Sequence, residues 1–185
     1  MKQALLIIDA QQDLIEGSNV ESPVFEKEKL IHNINTVIEK AMKENVSIVF
    51  IRDLDVSNGE GIGFQVHQAI HVPSIAVIFD KAATNSFYGT PLTSYLTENS
   101  IEHLVIMGCK TEHCIDTAVR TATINHFDVT LVGDGHSTSN SKILPAEQII
   151  LHHNETLHGH YNVDNFSLVR NTNEDLFIPV HNTHR

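Results

Sequence analysis

The chain has 185 residues, 41% of them hydrophobic and 19% charged, enough for one globular domain with its own core, and too apolar for a disordered chain. Its 12 Lys and Arg stand against 23 Asp and Glu, a formal net charge of −11, the wrong sign for a nucleic-acid partner. No apolar run nears the ~20 residues of a membrane span, Asp9 interrupts the only stretch resembling a secretory leader, and two cysteines make no disulfide framework; a soluble, cytoplasmic protein without nucleic-acid or membrane partners is expected.

Ala4-Leu5-Leu6-Ile7-Ile8 is too short for a helix and apolar on both faces, so it predicts a buried parallel strand ending at Asp9. Over 26–44 the stripe Leu30, Ile31, Ile34, Val37, Ile38, Ala41 and Met42 has helical spacing. Val46–Ile51 is a second strand running into Arg52-Asp53, and the glycine-rich residues 55–63 read as a loop. A third strand, Ile75–Phe79, leads to Asp80-Lys81, and Pro91 opens a helix to about Glu98. Leu104–Met107 is a fourth strand, 112–125 a helix with Ile115, Ala118, Val119 and Ala122 on one face, and Val129–Val132 a fifth strand. Pro145 opens a last helix, and Asn162–Val169 is a sixth, edge strand. Strand alternating with helix predicts one α/β domain over 1–185, a three-layer α/β/α sandwich around a mostly parallel sheet of five or six strands.

Ligands of such sheets bind outside the carboxyl ends of the strands. The residues there are Asp9, Asp53, Lys81, the segment Gly108–Cys114, and Asp134. Cys114 falls in the first turn of a helix, where the dipole and a nearby ammonium lower a thiol pKa. Asp9 can take the thiol proton, Lys81 can steady both charges, and backbone N–H groups at the helix start can hold an oxyanion. Each residue also has a plain structural reading: Cys114 as a buried hydrophobe, Asp9 as a loop acid, Lys81 as a surface charge.

The local sequences decide between these readings. Asp9-Ala10-Gln11-Gln12-Asp13-Leu14, Lys81 after the third strand, and Gly108-x-x-Thr111-x-x-Cys114-x-x-Thr117-Ala118 resemble, in order and spacing, the three motifs of the isochorismatase-like cysteine hydrolases. Ser86–Thr90 and Asp134–Thr138 match as well, so the resemblance runs from residue 4 to about 157. It implies a catalytic triad of Asp9 (general acid/base), Lys81 (charge partner) and Cys114 (nucleophile), acting on a small amide through a thioacyl-enzyme. It also implies a cis peptide at Cys109–Lys110, which aims the N–H groups of Lys110 and Cys114 into an oxyanion hole, and a homo-oligomer, dimer or tetramer.

Nicotinamidases of this family hold a metal through Asp-x-His after the second strand and a further His. Here the stretch is Asp53-Leu54-Asp55, with only His67 and His71 to replace the missing ligand. The resemblance is therefore to the metal-free branch, similar to N-carbamoylsarcosine amidase and streptothricin hydrolase, with no metal and no cofactor. Isochorismatase or nicotinamidase activity proper remains an alternative, as does a non-catalytic binding or redox-sensing role in which Cys109 resolves Cys114. Gln11, Phe87 and Tyr88 are candidate pocket residues. The histidines of 152–160 lack a zinc spacing and read as structural, and His181–Arg185 reads as a frayed tail.

Overall fold

The structure, a computed structural model, describes residues 1–185. Seven strands form it: β1 (Gln3–Ile8), β2 (Ser47–Asp53), β3 (Val77–Lys81), β4 (His103–Cys109), β5 (Asp128–Ser137), β6 (Tyr161–Asn162) and β7 (Asn165–Arg170). They lie in the order β3-β2-β1-β4-β5-β7-β6. Every neighbouring pair is parallel except β6 with β7. The expected edge strand at 162–169 is thus a short antiparallel hairpin, whose second arm extends the parallel sheet.

The helices are α1 (Gln12–Glu16), α2 (Lys27–Lys43), α3 (Gly61–Phe64), α4 (Leu92–Glu98), α5 (Asp116–Ile124) and α6 (Ala146–Leu157). β1 is buried along its whole length, and its period-2 alternation divides the core. Leu5 and Ile7 join Leu30, Ile34, Val37 and Ile38 of α2 on one face; Met42, expected on the same stripe, proves exposed. Ala4, Leu6 and Ile8 join Leu92 and Leu96 of α4, the buried stripe of α5, and Leu157 of α6 on the other. Continuous apolar strands covered by helices on both faces are the expected consequence of parallel pairing. No helix is long and apolar enough to cross a membrane.

Three further expectations change. The segment 55–63 is not plain loop: it holds a 3₁₀ turn at Val56–Gly59 and the start of α3. The helix expected over 112–125 begins as a π turn at Thr111–Ile115 and becomes α-helical at Asp116. The C-terminal tail is docked, because His181 is fully buried with Nε2 2.9 Å from the Val129 carbonyl, and Arg185 pairs with Asp128 at 2.5 Å.

The chain moves from β1 outward through β2 and β3, then returns to place β4 and β5 on the other side of β1. The connections therefore diverge beyond the carboxyl ends of β1 and β4, where a crevice opens in such a sheet.

Candidate active site

Four strand ends deliver the polar groups of that crevice. Asp9 follows β1 directly, with a left-handed backbone (φ 50°) and its N–H bonded to the Ile51 carbonyl at 2.9 Å. Such a conformation is uncommon outside glycine, is best tolerated by Asp and Asn, and concentrates at functional sites. Asp53 and Lys81 close β2 and β3 at paired register positions. After β4, the Cys109–Lys110 peptide is cis and the π turn carries Cys114. Gly108, at φ +125°, lies so close to β1 that a Cβ there would sit 2.0 Å from the Ile8 carbonyl oxygen. Only glycine lets β4 approach β1 this closely as it leaves the sheet.

The Lys81 ammonium is the hub. Its Nζ lies 3.0 Å from Asp9 Oδ2 and 3.4 Å from Cys114 Sγ, and it also bonds Asp53 Oδ2. Lys81 and Asp9 are each 1% exposed. Burial alone would lower the Lys81 pKa, but the charge of Asp9 and the hydrogen bonds to Asp53 and Asp9 overcome it and hold it above the usual lysine range. Burial pushes Asp9 up to about 6, against the pull of Lys81. Burial, with the Asp9 charge next, pushes the Cys114 thiol up to about 12. This corrects the sequence expectation of a depressed thiol: desolvation outweighs the ammonium and the helix start. Cys114 rests as a thiol beside a carboxylate whose Oδ1 is buried without a hydrogen-bond partner.

Asp9, Asp53 and Cys114 present ligand-type atoms within 4.8 Å of one another, but the Lys81 ammonium bonds all three residues. A metal cation does not fit where that charge already sits. His67 does not supply another site, because Nε2 meets Glu16 at 3.0 Å and Nδ1 accepts the Ala69 N–H at 3.1 Å. His71 is exposed. Residues 53, 67 and 71 thus do not form the ligand set considered from the sequence.

The groups face a cavity of about 530 Å³ whose lining includes Asp9, Asp53, Cys114, Lys110, Asp13 and Asp55. The three pocket residues suggested by sequence do not line it. Gln11 is buried and clamps β2 to α3, its amide nitrogen donating to the carbonyls of Asp53 and Phe64 at 3.1 and 2.8 Å while its oxygen accepts the Asp53 N–H. Phe87 stacks on Phe127, 6.3 Å between ring centroids, and Tyr88 is exposed. Lys110 reaches the site with its backbone N–H free of any hydrogen bond, while its ammonium pairs with Glu21. Cys109 packs in the core on the α2 face and Cys114 in the core on the α5 face.

Sequence reasoning missed three features. Asp53 is the partner of Lys81; the signal was the complementary endings Arg52-Asp53 and Asp80-Lys81. Thr111 Oγ1 bonds His136 Nδ1 at 2.8 Å, and His136 Nε2 bonds Asn154 Oδ1 at 2.8 Å, which ties the π turn to β5 and α6. Asp13 and Asp55 belong to the cavity, a fact of loop conformation that no local pattern carries.

The family model described as "Isochorismatase domain" matches residues 3–145. The chain is 28% identical over 159 residues to the uncharacterized isochorismatase family protein YddQ of Bacillus subtilis, covering 80% of this chain and 87% of that protein. It is 22% identical over 178 residues to the nicotinamidase of Escherichia coli, covering 72% and 82%. The crystal structure of N-carbamoylsarcosine amidase from Thermoplasma acidophilum superposes with a TM-score of 0.73 at 20% identity, covering 94% of this chain and 98% of that one.

Proposed function

This chain belongs to the isochorismatase family of hydrolases, and we propose that within it the chain hydrolyses a small-molecule amide through a Cys114 thioacyl-enzyme. The observation that carries this reading is the single ammonium of Lys81 in contact with Asp9, Asp53 and Cys114 at the floor of an open cavity. An amidase and a nicotinamidase among the similar proteins support the choice of amide.

In the first step Cys114 Sγ–H gives its proton to Asp9, and the sulfur attacks the amide carbonyl carbon. Proton transfer from a thiol at about 12 to a carboxylate at about 6 is uphill. It proceeds as the S–C bond forms, because the negative charge then moves from sulfur to the carbonyl oxygen. Lys81 stabilises the Asp9 carboxylate before transfer and the sulfur as its proton leaves, until the charge passes to the carbonyl oxygen. The oxyanion accepts from the backbone N–H groups of Lys110 and Cys114. As the tetrahedral intermediate collapses, the C–N bond breaks and protonated Asp9 returns the proton to the leaving ammonia or amine. Asp9 next removes a proton from water, whose oxygen attacks the thioester. Collapse releases the carboxylic acid and a thiolate, which recovers its proton from Asp9.

The test is ammonia release from a panel of primary amides and carbamoyl compounds, with wild type and Cys114→Ala side by side. Turnover should vanish in the variant, and intact-protein mass spectrometry of wild type should trap the acyl adduct on Cys114. Turnover retained by Cys114→Ala would remove the nucleophile assignment.

A further inference from the structure

One stretch of the cavity wall has a single polar tie to the rest of the molecule. Between α1 and α2 the chain turns through residues 18–21, all of which line the cavity together with Asp9 and Cys114. The backbone of this stretch bonds only within itself. The Ser18 N–H donates to the Glu21 carbonyl at 2.8 Å, and the Val20 N–H to Ser18 Oγ at 3.3 Å. Ser18, Asn19 and Val20 are exposed. Glu21 is the exception: its carboxylate pairs with the Lys110 ammonium, the one hydrogen bond or ion pair that leaves the stretch.

Both ends of the stretch are fixed. Gly17, at φ 83° and ψ 170°, holds a conformation that only glycine adopts freely, and a Cβ there would lie 2.7 Å from the Pro23 nitrogen. Past the turn, Ser139 Oγ donates to the Ser22 carbonyl at 2.9 Å and the Val24 N–H to the Ile15 carbonyl at 3.1 Å. Freedom to move is therefore confined to the residues between. Across the pair, Lys110 belongs to the turn of the nucleophile, since its carbonyl accepts the N–H groups of His113 and Ile115, each at 3.2 Å. The Lys110 and Glu21 side chains are 13% and 40% exposed, so the pair can open into water without stranding a buried charge.

We propose that residues 18–21 are a gate over the Cys114 cavity, latched by the Glu21–Lys110 pair, and that Glu21 is thereby a positioning residue for substrate capture. Latched, the stretch is a wall for a bound molecule; released, it widens the way to Cys114. A partly exposed ion pair suits this role, because it holds the wall in place yet opens readily enough to release product. The proposal rests on the reading of this cavity as the amide-hydrolysing site.

The latch is tested apart from the chemistry by alkylating Cys114 with iodoacetamide and with N-benzyliodoacetamide. Both are neutral and react through the same carbon. The ratio of their rates, each divided by that for free cysteine, therefore reports room at the thiol and not its ionisation. Cys109 is fully buried, and peptide mass spectrometry separates the two cysteines. The bulky-to-small ratio should rise several-fold in Glu21→Gln and in Lys110→Met, which break the pair from its two ends, and no further in the double variant. Added salt should raise the ratio in wild type by screening the pair, and should leave it unmoved in the variants. A ratio unchanged in either single variant, or effects that add in the double variant, overturns the latch.

The positioning role is read from an amide that the wild type hydrolyses. Glu21→Gln should raise KM several-fold with a smaller change in kcat, and Glu21→Asp, which keeps the charge, should recover part of the loss. A fall confined to kcat overturns that role. Labelling ratios that move as expected, with no amide turned over by wild type, support the latch and count against amide hydrolysis. Turnover with unmoved ratios does the reverse.

Discussion

Asp53 and Lys81 stand opposite one another in the parallel register of β2 and β3, and their side chains close an ion pair at the strand ends. One residue earlier Arg52 faces Asp80, and the two bond at 2.8 Å. Because side chains alternate along a strand, these two pairs point to opposite faces, one toward Gln65 and Phe64 and one into the site. Asp53 thus fixes the ammonium on which the proposed chemistry depends without needing to touch the substrate. Asp53→Ala should lower kcat by roughly 10- to 100-fold, the scale seen when the partner that orients a functional group is removed. It should also cost about 3 kcal/mol of stability, since a buried cation loses one of its carboxylates. Asp53→Asn, which keeps an acceptor, should recover part of the rate. Steady-state kinetics and denaturant midpoints on both variants check this.

In the proposed mechanism the pH profile is set by Asp9. Its carboxylate must be ionised to accept the thiol proton, and burial has raised its pKa to about 6. We expect kcat/KM to fall tenfold per pH unit below about 6 and to stay level from 7 to 9. Cys114, at about 12, adds no limb in that range. The loss of rate is not a loss of fold through this group. Between pH 4 and 6 folded Asp9 binds a proton that the unfolded chain does not, so its contribution to stability grows as pH falls. A rate profile recorded with circular dichroism at each pH separates the two; full activity at pH 4.5 would exclude Asp9 as the base.

A thiol at about 12 should also alkylate slowly. Iodoacetamide at pH 7 should modify Cys114 more slowly than free cysteine, whose thiol ionises near 8.5. Asp9→Asn removes the charge that opposes ionisation and should speed the reaction. Faster modification of wild type than of free cysteine would show a standing thiolate instead.

The parts of the fold legible in sequence were those set by local pattern. Ala4–Ile8 is apolar on both faces because β1 is covered on both, and the stripe from Leu30 to Ala41 is α2. Asp9, Lys81 and Cys114 came forward together with Asp53 and Asp134 because parallel sheets place their ligands at the carboxyl ends of the strands, and it was the resemblance of their local sequences to the family motifs that singled them out. The features hidden from sequence depend on contacts between distant segments. The Asp53–Lys81 pair needs the β2–β3 register, the burial of His181 needs β5, and the thiol pKa needs the depth of the crevice. Short helices such as α3 cannot nucleate on local preference and form only where tertiary contacts hold them.

The link from Thr111 to His136 ties down the turn that carries Cys114. Asn154 Nδ2 donates to the Gly133 carbonyl at 2.9 Å, so its Oδ1 accepts from His136 Nε2–H, and Nδ1 is left to accept from the Thr111 hydroxyl. Burial keeps His136 neutral by lowering its pKa to about 4. Thr111→Val strands Nδ1 in the core, at a cost of about 1–3 kcal/mol, and loosens the turn that carries Cys114. We expect kcat to fall with KM little changed, and Thr111→Ser to restore the rate. Equal kinetics in Thr111→Val and wild type, with only stability reduced, would leave the link a purely structural one.

At the opposite end of the sheet, His103 sets much of the response of stability to acid. The Gln3 amide nitrogen donates to Nδ1 at 2.7 Å, so Nε2 carries the hydrogen and donates to Thr130 Oγ1 at 2.9 Å. The His181 ring lies 4.9 Å away. Burial, followed by repulsion from His181, lowers the His103 pKa to about 3. The unfolded chain takes up a proton near 6.5 and the folded chain does not, so stability from this group is complete above 6.5 and is lost as pH falls toward 3. At pH 5 the loss is about 2 kcal/mol, at 1.36 kcal/mol per pKa unit, and His136 adds a similar loss by the same argument. Asp9 opposes them by about 1 kcal/mol over the same range. Denaturant unfolding should therefore show the protein roughly 3 kcal/mol less stable at pH 5 than at pH 7. In His103→Gln, which keeps a polar side chain but no titration, that difference should shrink, whatever the effect on stability at pH 7. A difference unchanged in the variant would place the acid sensitivity elsewhere than in the His103 cluster.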